Sequence, residues 1–413
     1  MIETFFGGIF YIFLFMTLYL EVFFLVTFLE RQEEFTQRER GGKLPYYPSA
    51  TIIVPVWNEE KTVSATVHSL LRLHYPKNKL NIIIVDDGST DRTWEIVQRF
   101  VNNPRVTLLR KTNGGKHTAV NLAIKQASTE LIGCLDADSF AEKDALTEIA
   151  RAFNDDPHTM AVTPMLVVHE PKTILQKMQR TEYYAGAFLR RMLSPLDGIF
   201  VTPGPFSFFR KEVFDKIGLY KKAHNTEDME FALRMQSHHM RIRNVHTAHV
   251  HTTTPGTLYA LYRQRLRWTY GIMKNTLDYR FMLFRREYGL LGMVVLPLSF
   301  VGVFIFLYNF SFIAFYTGKS IIGKIIEISV VGMYSSLPHF NLFFLNTDFT
   351  SLLSYILLGV GLFIIFYGTK LAEGRFRLTP SVFYFIILYG IVAPLWLTRA
   401  TIDVVFARGT KWR

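Results

Sequence analysis

The chain has 413 residues, 49% hydrophobic and 15% aromatic with 37 phenylalanines, and a formal net charge of +12. With a positive mean hydropathy, that is too apolar for a wholly soluble protein, and the excess is concentrated at the two ends, which implies a multi-pass membrane protein. The basic balance does not indicate nucleic acid, because the arginines and lysines cluster beside apolar segments and not in aromatic-interleaved patches.

Phe5 to Leu29 is uncharged except for Glu21 and is long enough to cross a bilayer. It lacks a basic leader and a small-residue cleavage site, so an uncleaved anchor is expected. Arg31, Arg38, Arg40 and Lys43 follow it, and Arg280, Arg285 and Arg286 precede the next apolar run. The positive-inside bias then places the central region in the cytoplasm beside anionic lipid, with the N-terminus outside. A polar linker ends at Pro45-Tyr46-Tyr47-Pro48.

A repeating order of strand, polar tip and helix follows. Ala50 to Val56 reads as a buried strand closing at Pro55-Val56-Trp57-Asn58-Glu59-Glu60, with a helix from Thr62 to Leu73. Leu80 to Val85 is a second strand ending at Asp86-Asp87-Gly88, Thr93 to Val101 a helix, and Val106 to Leu109 a third strand. Asn113-Gly114-Gly115-Lys116 leads into a helix from His117 to Gln126, and a fourth strand runs into Asp136-Ala137-Asp138. This alternation is that of an α/β domain with a largely parallel sheet, in which ligands bind at the carboxyl ends of the strands. Further on, Leu290 to Phe315, Leu352 to Tyr367 and Val382 to Val405 read as spans. Ile321 to Leu345 is interrupted by Lys324, Glu327, Pro338 and His339, and reads as a further span, a re-entrant piece or a surface element. Lys370, Arg375 and Arg377 compete with Arg408, Lys411 and Arg413 for the inner side.

Acidic residues at successive strand tips are hard to explain as packing, since carboxylates are avoided in cores without partners. On a strand, Asp136 and Asp138 would share one face. Two such carboxylates repel unless a cation relieves them, and Mg²⁺ or Mn²⁺ suits one or two carboxylates completed by substrate phosphates. The Gly-Gly-Lys turn offers backbone N–H groups and an ammonium to phosphate, without the spacing of a Walker motif. Thr226-Glu227-Asp228 reads most simply as an acidic helix start, although a carboxylate fixed there can act as a general base. Gln264-Arg265-Leu266-Arg267-Trp268 lies in a basic, aromatic helical stretch from Leu258 to Lys274, and Thr173 to Leu193 has the same character. Such helices lie along membrane surfaces, and an arginine and a tryptophan can also meet a diphosphate and a sugar face. His249 and His251 are ordinarily structural, with a metal-ligand role as the alternative. Cys134 is the single cysteine, so no internal disulfide is possible, and its place in the strand before the aspartates fits a core residue better than a nucleophile.

In their order and spacing, Asp86-Asp87-Gly88, Asp136-Ala137-Asp138, Thr226-Glu227-Asp228 and Gln264-x-x-Arg267-Trp268 resemble the processive, membrane-embedded members of glycosyltransferase family 2, including the hyaluronan, chitin, poly-N-acetylglucosamine and cellulose synthases. The resemblance implies a GT-A catalytic domain, α/β and Rossmann-like, joined to a helical transmembrane bundle and amphipathic interface helices. It implies that Pro55, Asn58, Glu59, Asp86, Asp87, Lys116, Asp136, Ala137 and Asp138 bind the nucleotide sugar, with Asp138 and Asp136 holding Mg²⁺ or Mn²⁺. Asp228, with Glu227 beside it, would be the base, and Gln264, Arg267 and Trp268 would complete the catalytic set. Gly204, Pro205, Phe206 and Ser207, with Trp268, would bind the acceptor. The Gly-Pro-x-Ser-x-x-Arg form of residues 204–210 leans toward an N-acetylhexosamine donor.

The expected organisation is a transmembrane helix over 1–30, a cytoplasmic GT-A domain over 45–255, interface helices over 256–286 and three or four spans over 287–407. The expected activity is inverting, metal-dependent transfer from a UDP-sugar, with UDP-N-acetylglucosamine favoured, to a growing β-linked polysaccharide exported through the protein's own channel in the cell membrane. The alternatives are transfer of one sugar to a polyprenyl phosphate or other lipid, and a non-catalytic export scaffold. The partners implied are the UDP-sugar, the glycan acceptor, the lipid bilayer, and accessory export or polymer-modifying proteins.

Overall fold

A computed structural model describes residues 2–31, 44–332 and 348–406. Helix α1 (Ile2–Glu30) is apolar along its length. The chain then enters a sheet through β1 (Ala50–Val56), α2 (Val63–Leu71), β2 (Leu80–Asp86), α3 (Thr93–Gln98), β3 (Val106–Arg110), α4 (Lys116–Gln126) and β4 (Leu131–Cys134). These four strands pair in parallel, and their β-branched runs are buried on both faces because helices cover both sides. Alternation decides the faces: Ile52, Val54, Ile82 and Ile84 enter one core, and Ile53, Ile83 and Val85 the other.

Next come β5 (Ser139–Ala141), α5 (Ala145–Asp155), β6 (Thr159–Val168), α6 (Ile174–Leu193), β7 (Phe208–Arg210), α7 (Lys211–Ile217), α8 (Glu227–Ser237) and β8 (Arg241–Thr252). The sheet order is β3-β2-β1-β4-β7-β6-β8-β5, with β7 antiparallel to both β4 and β6. The chain leaves β1 toward β2 and β3, then returns to place β4 on its other side. That reversal opens a crevice at the carboxyl ends of β1 and β4.

Helix α9 (Leu258–Asp278) and three long helices, α10 (Leu296–Val331), α11 (Phe349–Glu373) and α12 (Pro380–Val405), complete the described chain. Among the described residues, four helical stretches are long and apolar enough to cross a membrane: Gly7–Glu30, Leu291–Val330, Ser351–Glu373 and Pro380–Val405. Helix α6 joins them to the sheet. Its Thr173 cap accepts a hydrogen bond from the Gln176 backbone at 3.2 Å, and its Phe188 packs on Phe28 of α1 and Tyr367 of α11. Helix α9 lays Leu261, Leu266 and Tyr270 against Ala393, Trp396 and Ala400 of α12.

The structure differs from the sequence reading after Phe315. The apolar run and the start of the interrupted segment form one helix, α10, of 36 residues, about 54 Å at 1.5 Å per residue. Lys324 and Glu327 break the hydropathy but not the backbone, since both are good helix formers and both are exposed there. Pro338, His339 and Leu345, the basic residues Arg38, Arg40 and Lys43, and Arg408, Lys411 and Arg413 lie outside the described residues.

Candidate active site

The crevice is lined by side chains from the first four strand tips and from the loops before β7 and α8. Strand β4 stops at Cys134, so Asp136 and Asp138 stand on the turn beyond it and not on one face of a strand as expected. The turn is pinned by Thr66 of α2, whose hydroxyl donates to the Ala137 carbonyl at 2.8 Å. Asp138 accepts from the Ser139 hydroxyl at 3.1 Å, and its own carbonyl accepts from the Thr253 hydroxyl.

The tips of β1, β2 and β3 form an internally neutralised group. Asp86 is fully buried and ion-paired with Arg110 at 2.9 Å. Asp87 accepts from Lys111 at 2.7 Å and from the backbone N–H groups of Gly114 and Gly115 at 3.0 and 2.9 Å. The Gly-Gly turn therefore directs those N–H groups at Asp87, which corrects the expectation that they face phosphate. Asn58, in a left-handed conformation at φ 56°, accepts from the Thr90 N–H at 2.8 Å and ties the first tip to the second. Glu59 accepts from the Thr62 hydroxyl, while burial and the charges of Asp136 and Asp91 hold its pKa above the usual value. Pro55 sits in the β1–β2 ladder opposite Val85, one residue inside the tip.

Lys116 opens α4 and reaches across to Asp136 at 2.5 Å, with Glu227 at 3.8 Å. Burial disfavours the ammonium, but Asp136 and Glu227 outweigh it and hold the lysine well above its ordinary pKa. Gly204 covers this pair. A methyl group there would come within 2.6 Å of the Lys116 Nζ and 3.0 Å of Asp136. Glycine is required by proximity.

Two carboxyls in the crevice are not neutralised. Burial, followed by the charges of Asp136 and Glu59, raises Asp138 to about 7. Burial and Glu227 raise Asp228 to about 6, against the opposing influence of Lys116 and Arg267. Lys116, Glu227, Asp228, Gly204 and Ser207 share one narrow cavity with about 20 Å³ open inside it, room for about one water-sized occupant. Thr202, Pro203 and Tyr220 line it too. The first two adjoin the Gly-Pro segment and were within reach of the sequence; Tyr220 arrives from the loop after α7 with no motif to mark it. Cys134 lines the cavity as well, but burial and the nearby carboxylates push its thiol up to about 12, so it is no nucleophile at neutral pH.

Other predicted residues are placed differently. Phe206 is completely buried against Phe208, and the Ser207 hydroxyl donates to the Pro203 carbonyl, so of this segment it is Gly204 and Ser207, not the Phe206 ring, that reach the cavity. Pro205 is half-buried beside them. Arg267 donates to the Asn225 carbonyl at 2.9 Å, directly ahead of Thr226-Glu227-Asp228. Trp268 is covered by the Arg265 guanidinium at 4.3 Å, and Arg265 pairs with Glu182 of α6 at 2.8 Å. The Gln264 carbonyl oxygen is buried without a hydrogen-bond partner. His249 and His251 both turn to Glu142, at 3.5 and 2.8 Å, a structural pairing that leaves the buried Nε2 of His249 without a hydrogen-bond partner.

Residues 51–218 match the family model described as Glycosyl transferase family 2. That match covers less than half of the chain. Among curated proteins this chain is similar to the poly-beta-1,6-N-acetyl-D-glucosamine synthases of Staphylococcus aureus (strain COL), 31% identical, and Staphylococcus epidermidis, 32% identical. Each alignment runs over 223 residues, 54% of this chain and 54% of the relative, so the chain spans about half the length of the curated relatives it matches. Among solved structures it resembles a mannosyltransferase of Pyrobaculum calidifontis, determined with GDP-mannose and Mn²⁺, at a TM-score of 0.57 and 17% identity over 96% of this chain and 99% of that one. That likeness concerns the fold. The α/β domain has the GT-A-like, mostly parallel sheet that the sequence implied.

Proposed function

We propose that the protein transfers a sugar from UDP-N-acetylglucosamine to a growing β-linked polysaccharide with inversion, and passes the product through its own spanning helices. The observation that carries the reaction is Asp228. This carboxyl at the start of α8 has a pKa raised to about 6, in a cavity also lined by Lys116, which is ion-paired with Asp136. Near pH 7.5 Asp228 is mostly ionised yet basic enough to accept a proton, which suits a general base for an acceptor hydroxyl. Lys116 and Arg267 supply positive charge as the diphosphate departs. Attack on the anomeric carbon from the face opposite the leaving group converts an α-linked donor into a β-linked product, with no enzyme nucleophile. The names of the staphylococcal relatives support the N-acetylglucosamine donor.

Asn58, Glu59, Asp86 and Asp87 would take the nucleoside, with Pro55 and Ala137 shaping its edge, and Gly204, Pro205, Ser207, Gln264 and Trp268 would meet the acceptor. The crevice fits a divalent ion. Asp138 is a half-buried carboxyl crowded by Asp136 and Glu59, and no group of three or more protein ligands stands among the described residues, which suits Mg²⁺ or Mn²⁺ completed by phosphates and water. Asp138 and Asp136 would hold it, and it would supply Lewis-acid stabilisation of the leaving diphosphate. The apolar helices, with Arg31 after α1 and Arg280, Arg285 and Arg286 before the second span, support a cell-membrane protein whose catalytic region, residues 45–255, faces the cytoplasm.

The test is UDP release by the full chain in lipid nanodiscs across a panel of UDP-sugars with Mg²⁺ or Mn²⁺, followed by sizing of the product on a gel. Release with UDP-N-acetylglucosamine and a long glycan is expected. Release with only a single sugar added to lipid would replace this reading by the lipid-sugar transferase.

A further inference from the structure

Ahead of Asp228 the backbone does something unusual. Ala223, His224 and Asn225 have φ of 34°, 55° and 61°, three consecutive residues other than glycine in the left-handed region. Such a run persists only where its surroundings over-determine it. Thr226 then stands at the cap of α8, yet its side chain makes no capping hydrogen bond. The surroundings that hold this loop belong to α9.

One stripe of α9 meets the loop at four successive turns. Arg267 donates to the Asn225 carbonyl at 2.9 Å. Four residues on, Gly271 lies so close to Thr226 that any Cβ would collide with the threonine side chain. Four residues further, Asn275, completely buried, donates to the Thr226 hydroxyl at 2.8 Å. At the end of the helix, Asp278 pairs with His224 at 2.8 Å. The Thr226 hydroxyl donates in turn to the Ala223 carbonyl and closes the strained turn. The opposite side of the same helix packs on the spanning helix α12.

We propose that Gly271, Asn275 and Asp278 are positioning residues for Asp228, acting through Thr226 and His224, so that α9 fixes the base loop from a helix seated on the membrane bundle. The proposal rests on Asp228 being the base. Replacing Asn275 removes the donor that holds Thr226 outward and lets the left-handed turn relax, which moves the carboxyl while leaving the β1–β4 tips untouched.

The test uses the full chain in nanodiscs. Asn275→Ala is expected to lower kcat by roughly 10²-fold, the scale of a sub-ångström to 1 Å misplacement, with donor KM within about twofold of wild type. Thr226→Ser, which keeps the hydroxyl, should retain kcat, and Thr226→Val combined with Asn275→Ala should lose no more than either alone. Hydrogen–deuterium exchange, which needs no substrate, should speed up over residues 223–228 in Asn275→Ala and stay unchanged in β1–β4. Unchanged exchange in the loop, or equal losses in kcat and donor affinity, overturns the proposal. Asp278→Ala lies at the exposed end and folds whatever becomes of Asn275→Ala; wild-type kcat and loop exchange in it also overturn the proposal. Asp228→Asn is run alongside. Transfer that survives Asp228→Asn removes the base reading itself, whereas its loss together with an active Asn275→Ala removes only the positioning proposal.

Discussion

The crevice has two acidic regions that have met burial in opposite ways. At the tips of β2 and β3, Asp86 and Asp87 are matched one to one by Arg110 and Lys111, and the Gly114–Gly115 turn closes over them. On the turn beyond β4 and at the start of α8, Asp138 and Asp228 are half-buried beside other carboxylates, and their pKa values rise to about 7 and 6. The first region is a settled scaffold whose ion pairs fix a shape. The second keeps its carboxyls near neutrality, where protonation, a metal or a substrate changes the balance. Binding is expected to depend on the first region, and turnover on the second.

The largest expected break of that contrast is Asp228→Asn. It should lower kcat by roughly 10²–10⁴-fold, the range for a general base, while donor KM stays near wild type; a matching loss of UDP-sugar binding by calorimetry would place Asp228 with the scaffold instead. Asp138→Asn should abolish the response of UDP release to Mn²⁺. It should also raise the unliganded melting temperature at pH 8, by about 2–4 °C for each kcal/mol relieved. The sign follows from a folded pKa near 7, above the ordinary 3.8: ionisation costs the folded state as pH rises through that window, and the cost disappears as pH falls well below 3.8. No thermal gain at pH 8 would mean the carboxyl is neutralised by the protein after all. Arg110→Ala, which strands the buried Asp86, should raise donor KM about tenfold and spare kcat; a kcat effect would erase the division of labour. The smallest effect is on pH dependence. Transfer should decline below about pH 6 as Asp228 protonates, and because the Glu227 charge helps to raise that value, Glu227→Gln should move the acid limb to lower pH by less than about one unit. A shift upward would contradict it.

The fold was legible because its signal is local. Ala50 to Val56 and Leu80 to Val85 are β-branched runs between polar tips, and period and punctuation identify them without knowledge of neighbours. The carboxylates were legible for a related reason, since acidic pairs at strand ends have few structural explanations. Their partners were not. Nothing in the order of residues says that Gly114 and Gly115 would turn their N–H groups onto Asp87, or that Phe206 would rotate into the core and leave Gly204 against Lys116. Those outcomes are set by contacts across more than twenty positions, and local pattern does not encode them. The same holds for Thr226, which has the sequence of an ordinary cap and is engaged instead by Asn275.

Cys134 has a practical consequence. The chain holds one thiol, and it is buried and protonated at any pH that alkylating reagents use. The native protein is therefore already a silent background for single-site labelling, with no need to remove a cysteine first. A thiol introduced at Arg31, just past the C-terminal end of α1, or at Lys370, in the last turn of α11, would in each case be the only reactive group in the molecule. Impermeant maleimides added to sealed vesicles from one side would then read which face of the bilayer each occupies, and the orientation drawn from arginine and lysine bias becomes a yes-or-no chemical result.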